Sequence, residues 1–215
     1  MDSAWLRSLG STIGYLGRHP VGRRHPLRTA LRVAVWQARL RAHSGLQQAR
    51  WVNGSRLLAQ RGLTGVTGNL YYGFHEFVEM SLVALLLRPD DLFADIGANA
   101  GTYTVLASKV AGARTIAFEP GDEAAEVFRR IARLNAIEEQ IDLRAEAVGD
   151  RVGEARFTRG RGTMNMVSES GEAAVPLTTL DAALEGRVPL AIKFDIEGGE
   201  DAGVRGAMRT LSDPA

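Results

Sequence analysis

The chain has 215 residues, 45% of them hydrophobic and 24% charged, with a formal net charge of +1. This is the composition of a globular protein with one sizeable core and room for an N-terminal appendage. It contains no cysteine, which excludes disulfides, zinc–thiolate sites and thiol catalysis. The most apolar run, Met80–Leu87, is far short of the ~20 residues of a membrane-spanning helix. Arg7, Arg18, Arg23 and Arg24 break up every candidate for a secretory signal core, so the expectation is a cytoplasmic protein with no transmembrane segment.

The small net charge conceals an asymmetry. Residues 1–75 hold eleven arginines and a single acid, Asp2, a balance of +10; with +1 overall, residues 76–215 carry −9. Met1–Ala42 reads as a basic amphipathic helix, with Leu27, Leu31, Val35 and Ala38 on one face and Arg28, Arg32 and Arg39 on others. Two readings stand. The helix either meets an anionic surface (nucleic acid, membrane headgroups or an acidic glycan carrier) or caps the acidic half as a solvated helix. An arginine-rich, acid-poor start also has the composition of an organellar transit peptide. Few aromatics interleave with these arginines, so there is no base-stacking platform and no nucleic-acid partner is expected.

Next comes Val52-Asn53-Gly54-Ser55, with Asn-Gly between short apolar stretches, a strong hairpin signal. The glycine-rich stretch from Gly62 to Gly73 reads as a loop, and an apolar helix follows, ending near Leu87 before Arg88-Pro89-Asp90-Asp91. His75 and Glu76 stand at the mouth of that helix. His75 is a candidate to take a proton from a substrate hydroxyl, and Glu76 a candidate substrate ligand; alternatively, both simply complement the start of a helix.

Leu92–Ile96 is a short apolar run carrying Asp95 near its end, followed by Gly97-Ala98-Asn99-Ala100-Gly101 and a helix-patterned segment, Thr102–Ala111. That is a strand, a tight turn and a helix. A dinucleotide site wants G-x-G-x-x-G, whose second glycine lets the backbone approach a pyrophosphate. Here that place is Asn99, whose side chain would crowd a pyrophosphate. S-adenosylmethionine has no phosphate; it brings a sulfonium, an ammonium and a ribose diol, which suit the charge of Asp95. A second strand, Thr115–Phe118, ends in Glu119-Pro120, an acid about 20 residues beyond the turn, where a ribose ligand belongs. Asp95, Gly97, Asn99, Gly101 and Glu119 are therefore the candidate cofactor residues.

Asp122–Asn135 has helical spacing, with Ala125, Phe128, Ile131, Ala132 and Leu134 on its buried face, and Ile141–Val148 alternates as a third strand. Gly149–Pro176 reads as a loop or hairpin over the cleft. Thr178 and Asp181 stand at capping-box spacing at the start of a short helix. Pro189–Phe194 is a fourth strand, and Asp195, Glu197 and Glu200 at its end face the crevice at the carboxyl ends of the strands. Three carboxylates together suit either a hard metal ion or a cleft residue plus helix-start acids. The second reading is preferred: no metal, with Asp195 near the reacting methyl group and Glu197 a substrate candidate.

Asp95–Thr104, Phe118-Glu119-Pro120, Leu177–Asp181 and Ile192–Glu200, in this order and spacing across Tyr72 to Leu211, resemble the FkbM family of S-adenosylmethionine-dependent methyltransferases. The resemblance implies a class I methyltransferase fold and O-methylation of a sugar, glycan or natural-product hydroxyl. It also puts Glu146 and Ala147 where adenine sits in such enzymes, and an asparagine, here Asn165, in the segment over the cleft, as a substrate or cofactor ligand or as an ordinary turn residue. The fold expected is α/β, a mainly parallel sheet flanked by helices. Residues 1–73 form the basic extension and 74–215 a methyltransferase domain that stops short of the family's last strands. A chain so cut is expected to be weakly active and to self-associate through an open sheet edge. Two alternatives stand beside methyl transfer: a nicotinamide-dependent oxidoreductase, or a non-catalytic anion-binding module.

Overall fold

The computed structural model describes residues 14–15, 17–61, 63–158, 166–168 and 170–212. Two proline-started helices, α1 (Pro20–Arg24) and α2 (Pro26–Ala42), lead into an antiparallel hairpin of β1 (Gln47–Arg50) and β2 (Arg56–Ala59). The helices α3 (Thr64–Tyr72) and α4 (Phe77–Leu86) follow. Then come β3 (Leu92–Ile96), α5 (Thr102–Thr104, continuing as a π-helical turn over Val105–Ala111), β4 (Arg114–Phe118), α6 (Asp122–Asn135) and β5 (Ile141–Arg144). The remainder is β6 (Ala147–Val148), β7 (Gly153–Phe157), β8 (Ala173–Thr178), α7 (Leu180–Leu184), β9 (Ala191–Phe194), α8 (Glu200–Arg205) and α9 (Met208–Ser212).

The fold is α/β, as expected. Its centre is a parallel sheet in the order β5-β4-β3-β9, and the strands at its middle are apolar because helices cover both faces. On one side Phe93 packs with Met80, Val83, Tyr103 and Leu106; on the other Ala94, Ile96, Ile116 and Phe118 pack with Leu180 and Leu184. The register sets Asp95 beside Lys193 and Ile96 beside Phe194 across the β3–β9 pair, so the chemistry-bearing ends of the two strands lie together.

Five expectations are corrected. Gly62 to Gly73 is not a loop: Thr64–Tyr72 is a helix. Its glycines each disfavour helix by about 1 kcal/mol, but burial of Val66, Leu70, Tyr71 and Tyr72 outweighs that. Gly68 is required there, since a Cβ would overlap the His75 ring. The third strand does not run from Ile141 to Val148; it breaks after Arg144, and Ala147–Val148 joins a separate three-stranded sheet with β8 and β7. The short helix is capped by Thr179, whose Oγ1 accepts from the Ala182 N–H, rather than by Thr178. Asp181 instead accepts from the N–H groups of Arg209 and Thr210 at the start of α9. Within Met1–Ala42, the described part is interrupted at His25, and the face bearing Leu27, Leu31 and Val35 points to solvent while Thr29 and Leu40 are buried. On α6 the last buried residue is Asn135, not Leu134.

The hairpin forms where Asn53-Gly54 predicts, with both residues at positive φ, 47° and 78°. It does not stand apart. Leu57, Val66 and Leu70 share one core with Val105 and Ile131 of the sheet's helices and with Ile137, just past the end of α6. The polar clamp is Asn135, which accepts from the Arg56 N–H at 2.8 Å and donates to the Arg56 carbonyl at 2.8 Å. Replacing Asn135 by alanine strands two edge groups of β2 and should cost about 1–3 kcal/mol. Urea denaturation checks this, and an unchanged midpoint would show the clamp to be energetically idle.

Candidate functional site

The site grows from the turn after β3. Gly97 has φ +76° and lies so close to the end of β9 that a Cβ would overlap the Asp195 carbonyl oxygen. A side chain at Gly97 would therefore part the two strands. The N–H groups of Gly97 and Ala98 both donate to the Phe118 carbonyl, at 3.0 and 2.9 Å, tying the turn to the end of β4. Asn99 takes φ +52°, a conformation asparagine tolerates better than most residues. Its N–H thereby donates to Glu119 Oε2 at 2.8 Å.

The Gly121 N–H donates to the other oxygen, Oε1, at 2.8 Å. Glu119 is buried, and burial raises its pKa above 4.5 while these two N–H groups oppose the rise. Each oxygen keeps a lone pair for a further donor. A fixed carboxylate of this kind can receive a ribose diol.

Glu119 lines a cleft of about 1030 Å³, counting the space open to solvent. Gly97, Asn99, Glu146, Ala147 and Glu197 also line it, and Phe118, Phe157, Leu177 and Met166 make it largely apolar. The β7–β8 hairpin supplies one wall, as expected of the segment over the cleft. Asn165 lies outside the described residues. Gly101 starts α5 against the Phe128 ring rather than on this cleft.

Asp95 is placed differently from the expectation that it faces the cofactor. It is 0% exposed. The Thr104 hydroxyl donates to Oδ2 at 2.7 Å, and the Lys193 ammonium stands 3.6 Å from Oδ1. Lys193 also lies 3.2 Å from Asp195 Oδ2, donates to the Gly97 carbonyl at 3.3 Å and sits over the Tyr103 ring. Asp95, Lys193 and Asp195 thus carry a net charge of −1, with Asp195 the exposed member.

A second cavity, about 450 Å³, opens on the far side of the same turn. Asn69, His75, Glu76, Tyr103 and Lys193 line it, and Gly97, Asn99 and Asp195 line both cavities. The His75 N–H donates to Asn69 Oδ1, and its ring nitrogen Nδ1 is buried without a partner. Burial lowers the His75 pKa below 6.5, against the opposing pull of Glu76. The Tyr103 hydroxyl donates to Glu76 Oε2 at 2.7 Å, and burial together with that bond raises its pKa strongly, so it stays protonated. Glu200 turns back to accept from the Gly198 N–H. Among the described residues no three His, Asp or Glu side chains are grouped to hold a metal ion.

Sequence reasoning missed Lys193, Tyr103, Thr104 and Asn69. Lys193 had a signal: a lone cation inside the apolar run Leu190–Phe194 needs a buried partner. Thr104 and Tyr103 had none, because their partners are 9 and 27 residues away.

The family profile described as Methyltransferase FkbM domain matches residues 95–214. The chain belongs to this family, and its parallel sheet with flanking helices is the class I methyltransferase fold. Comparison with curated proteins finds no match. Among solved structures, the chain is similar to the C-terminal domain of precorrin-6Y C5,15-methyltransferase from Rhodobacter capsulatus. The identity is 20% and the TM-score 0.37, covering 59% of this chain and 51% of that one. It is also similar to a SAM-dependent methyltransferase from Agrobacterium tumefaciens, at 11% identity and TM-score 0.37, covering 48% and 33%. A third is a tRNA (uracil-54, C5)-methyltransferase from Pyrococcus abyssi in complex with S-adenosyl-L-homocysteine, at 14% and TM-score 0.36, covering 46% and 23%. The chain spans about half or less of these proteins, and the assignment rests on the family match.

The cofactor of this family is S-adenosylmethionine, and the residues fit it. The first cleft offers apolar walls for an adenine and, in Glu119, a diol acceptor whose oxygens are already aimed. Glu119→Ala should therefore weaken S-adenosylmethionine binding by about 1.5–3 kcal/mol, the worth of hydrogen bonds to a charged group. Glu146→Ala, at a half-buried position, should weaken it far less. Titration calorimetry separates the two, and equal affinities would remove Glu119 from the ribose.

Proposed function

We propose that this chain transfers the methyl group of S-adenosylmethionine to a hydroxyl oxygen of a sugar, glycan or natural product held in the second cavity. One observation carries the reading: two cavities of different character meet at Gly97, Asn99 and Asp195. The first is largely apolar around Glu119, the carboxylate fixed by two main-chain N–H groups; the second is lined by His75, Glu76, Tyr103 and Lys193, a set of donors and acceptors that suits a hydroxyl-rich acceptor.

When bound, S-adenosylmethionine supplies an electrophilic methyl group, so the protein's main tasks are placement and proton removal. Glu119 holds the ribose, with Asn99 and Gly121 locking its rotamer. Asp195 offers its charge to the cationic end, because of the two carboxylates beside Lys193 it is the exposed one while Asp95 is fully buried. His75, neutral because burial lowers its pKa, lines this cavity and takes the hydroxyl proton on Nε2, because Nδ1 is enclosed against Gly68. Glu76 holds a neighbouring hydroxyl of the acceptor, while Asn69, which donates to the Gly65 carbonyl and accepts from the His75 N–H, fixes the wall behind it.

Labelled methyl transfer into a cell extract, with and without His75→Gln, tests this. The variant should bind cofactor normally and turn over about a hundredfold more slowly. Because the folded His75 pKa lies below 6.5, the wild-type rate is full above that midpoint and falls as pH drops through it. The variant should lose this dependence. A variant with the wild-type rate and pH profile would remove His75 from the reaction.

Self-association belongs to the same reading. Among the described residues β9 pairs only with β3, and Val78, Leu82 and Leu85 of α4 are exposed. Sedimentation velocity should show oligomers that Leu82→Glu with Leu85→Glu reduces; a monomer at high concentration would contradict it.

A further inference from the structure

The helix α2 presents two surfaces, and among the described residues only one is packed against the rest of the fold. Thr29 and Leu40 are buried, with Val33 and Trp36 packed beside them on the core shared with α3. Opposite them, Leu27 is 86% exposed, Leu31 65% and Val35 56%. At about 100° per residue, Ala34 and Ala38 fall within this same stripe. Arg28, Arg32 and Arg39 line up along one flank of it, between the apolar stripe and the buried face, and Arg41 falls on the other flank. Large aliphatic side chains repeated at i and i+4 on a solvent face cost solubility, and these pack against nothing among the described residues.

The charge around the stripe is uncompensated. Residues 14–75 contain no acid. Among the described residues, no arginine from Arg18 to Arg61 lies within ion-pair distance of a carboxylate. In α2 the guanidinium bonds are to carbonyls or rings instead: Arg41 to the Gln37 carbonyl, Arg39 over the Trp36 ring.

An apolar stripe flanked by unpaired arginines is complementary to one kind of surface, an acyl layer edged by anions. A second copy of this chain would bring the same arginines against themselves. A nucleic acid would satisfy the arginines but leave Leu27, Leu31 and Val35 in water, and the nearby indoles, Trp36 and Trp51, are packed against the core rather than presented for base stacking.

We propose that α2 is a membrane-docking helix, lying in the plane of an anionic bilayer surface with Leu27, Leu31 and Val35 in the headgroup–acyl boundary and Arg28, Arg32 and Arg39 on lipid phosphates. This goes beyond methyl transfer and does not depend on it. It has a consequence for the acceptor, because α2 packs on α3 and α3 supplies Asn69 to the second cavity. The docked helix stands one helix away from the site that receives the hydroxyl.

The full chain is sedimented with vesicles of phosphatidylcholine alone and of phosphatidylcholine mixed with phosphatidylglycerol, over a range of salt. Binding is expected to the mixed vesicles and to weaken as salt rises. Leu27→Gln with Leu31→Gln should reduce partitioning about tenfold or more at every salt, whereas Arg28→Gln with Arg39→Gln should reduce it and flatten the salt dependence. All four positions carry exposed side chains, and circular dichroism reports whether each variant keeps its helices. Three outcomes overturn the proposal. The first is no vesicle binding by the folded wild type. The second is vesicle binding untouched by the leucine substitutions, which would mean adsorption by charge alone. The third is a dimer or an RNA complex, in the absence of vesicle binding, that assigns this face to another partner.

Discussion

The buried carboxylate of Asp95 constrains this site more than any other group. A charge at 0% exposure cannot persist without a counter-charge and hydrogen bonds. Its partners come from two places: Thr104, one turn into α5, and Lys193, its register partner on β9. Meeting that need brings the end of β9 against the glycine turn, so closely that position 97 admits no Cβ. Asp195 is then carried to the boundary between the two cavities. Removing one member of such a pair costs on the order of 3–5 kcal/mol, so the same contact that orients Asp195 also holds the β3–β9 seam together.

The N-terminal half is tied to this arrangement. Asn69 and His75 form one wall of the second cavity, and the ring of His75 sits where Gly68 leaves room for it. Tyr15 and Tyr72 pack their rings against it, and His19 stacks on Tyr72. That enclosure removes water from His75 and lowers its pKa, while Tyr72, buried in the same group, is pushed up to about 12. The basic residues that surround α2 are therefore attached to a segment that builds the site, and docking that segment on a surface would act close to the acceptor.

Much of this was legible in the chain itself. The strand, glycine turn and helix at Leu92–Ala111, the acid closing β4, the hairpin at Asn53-Gly54 and the amphipathic α6 all follow from local rules: apolar runs, positive-φ residues and 3.6-residue periodicity. Those rules are sufficient where the backbone decides, as at Asn99 and Gly97. They failed over Thr64–Tyr72, because glycines disfavour a helix locally and only contact with α2 and β2 repays them.

By itself the sequence determined that a carboxylate would stand at the end of each of β3 and β4, beside a turn suited to a nucleoside and not to a pyrophosphate. That is a matter of residue order along strands and turns. Only the tertiary structure decided which carboxylates face the cleft: Glu119 is held open to it by two main-chain N–H groups, while Asp95 is turned inward to Lys193. It alone also exposed the Leu27–Val35 stripe of α2. An amphipathic pattern names two faces, but which one is buried depends on the neighbour that packs against it, and that neighbour is brought there by the rest of the fold.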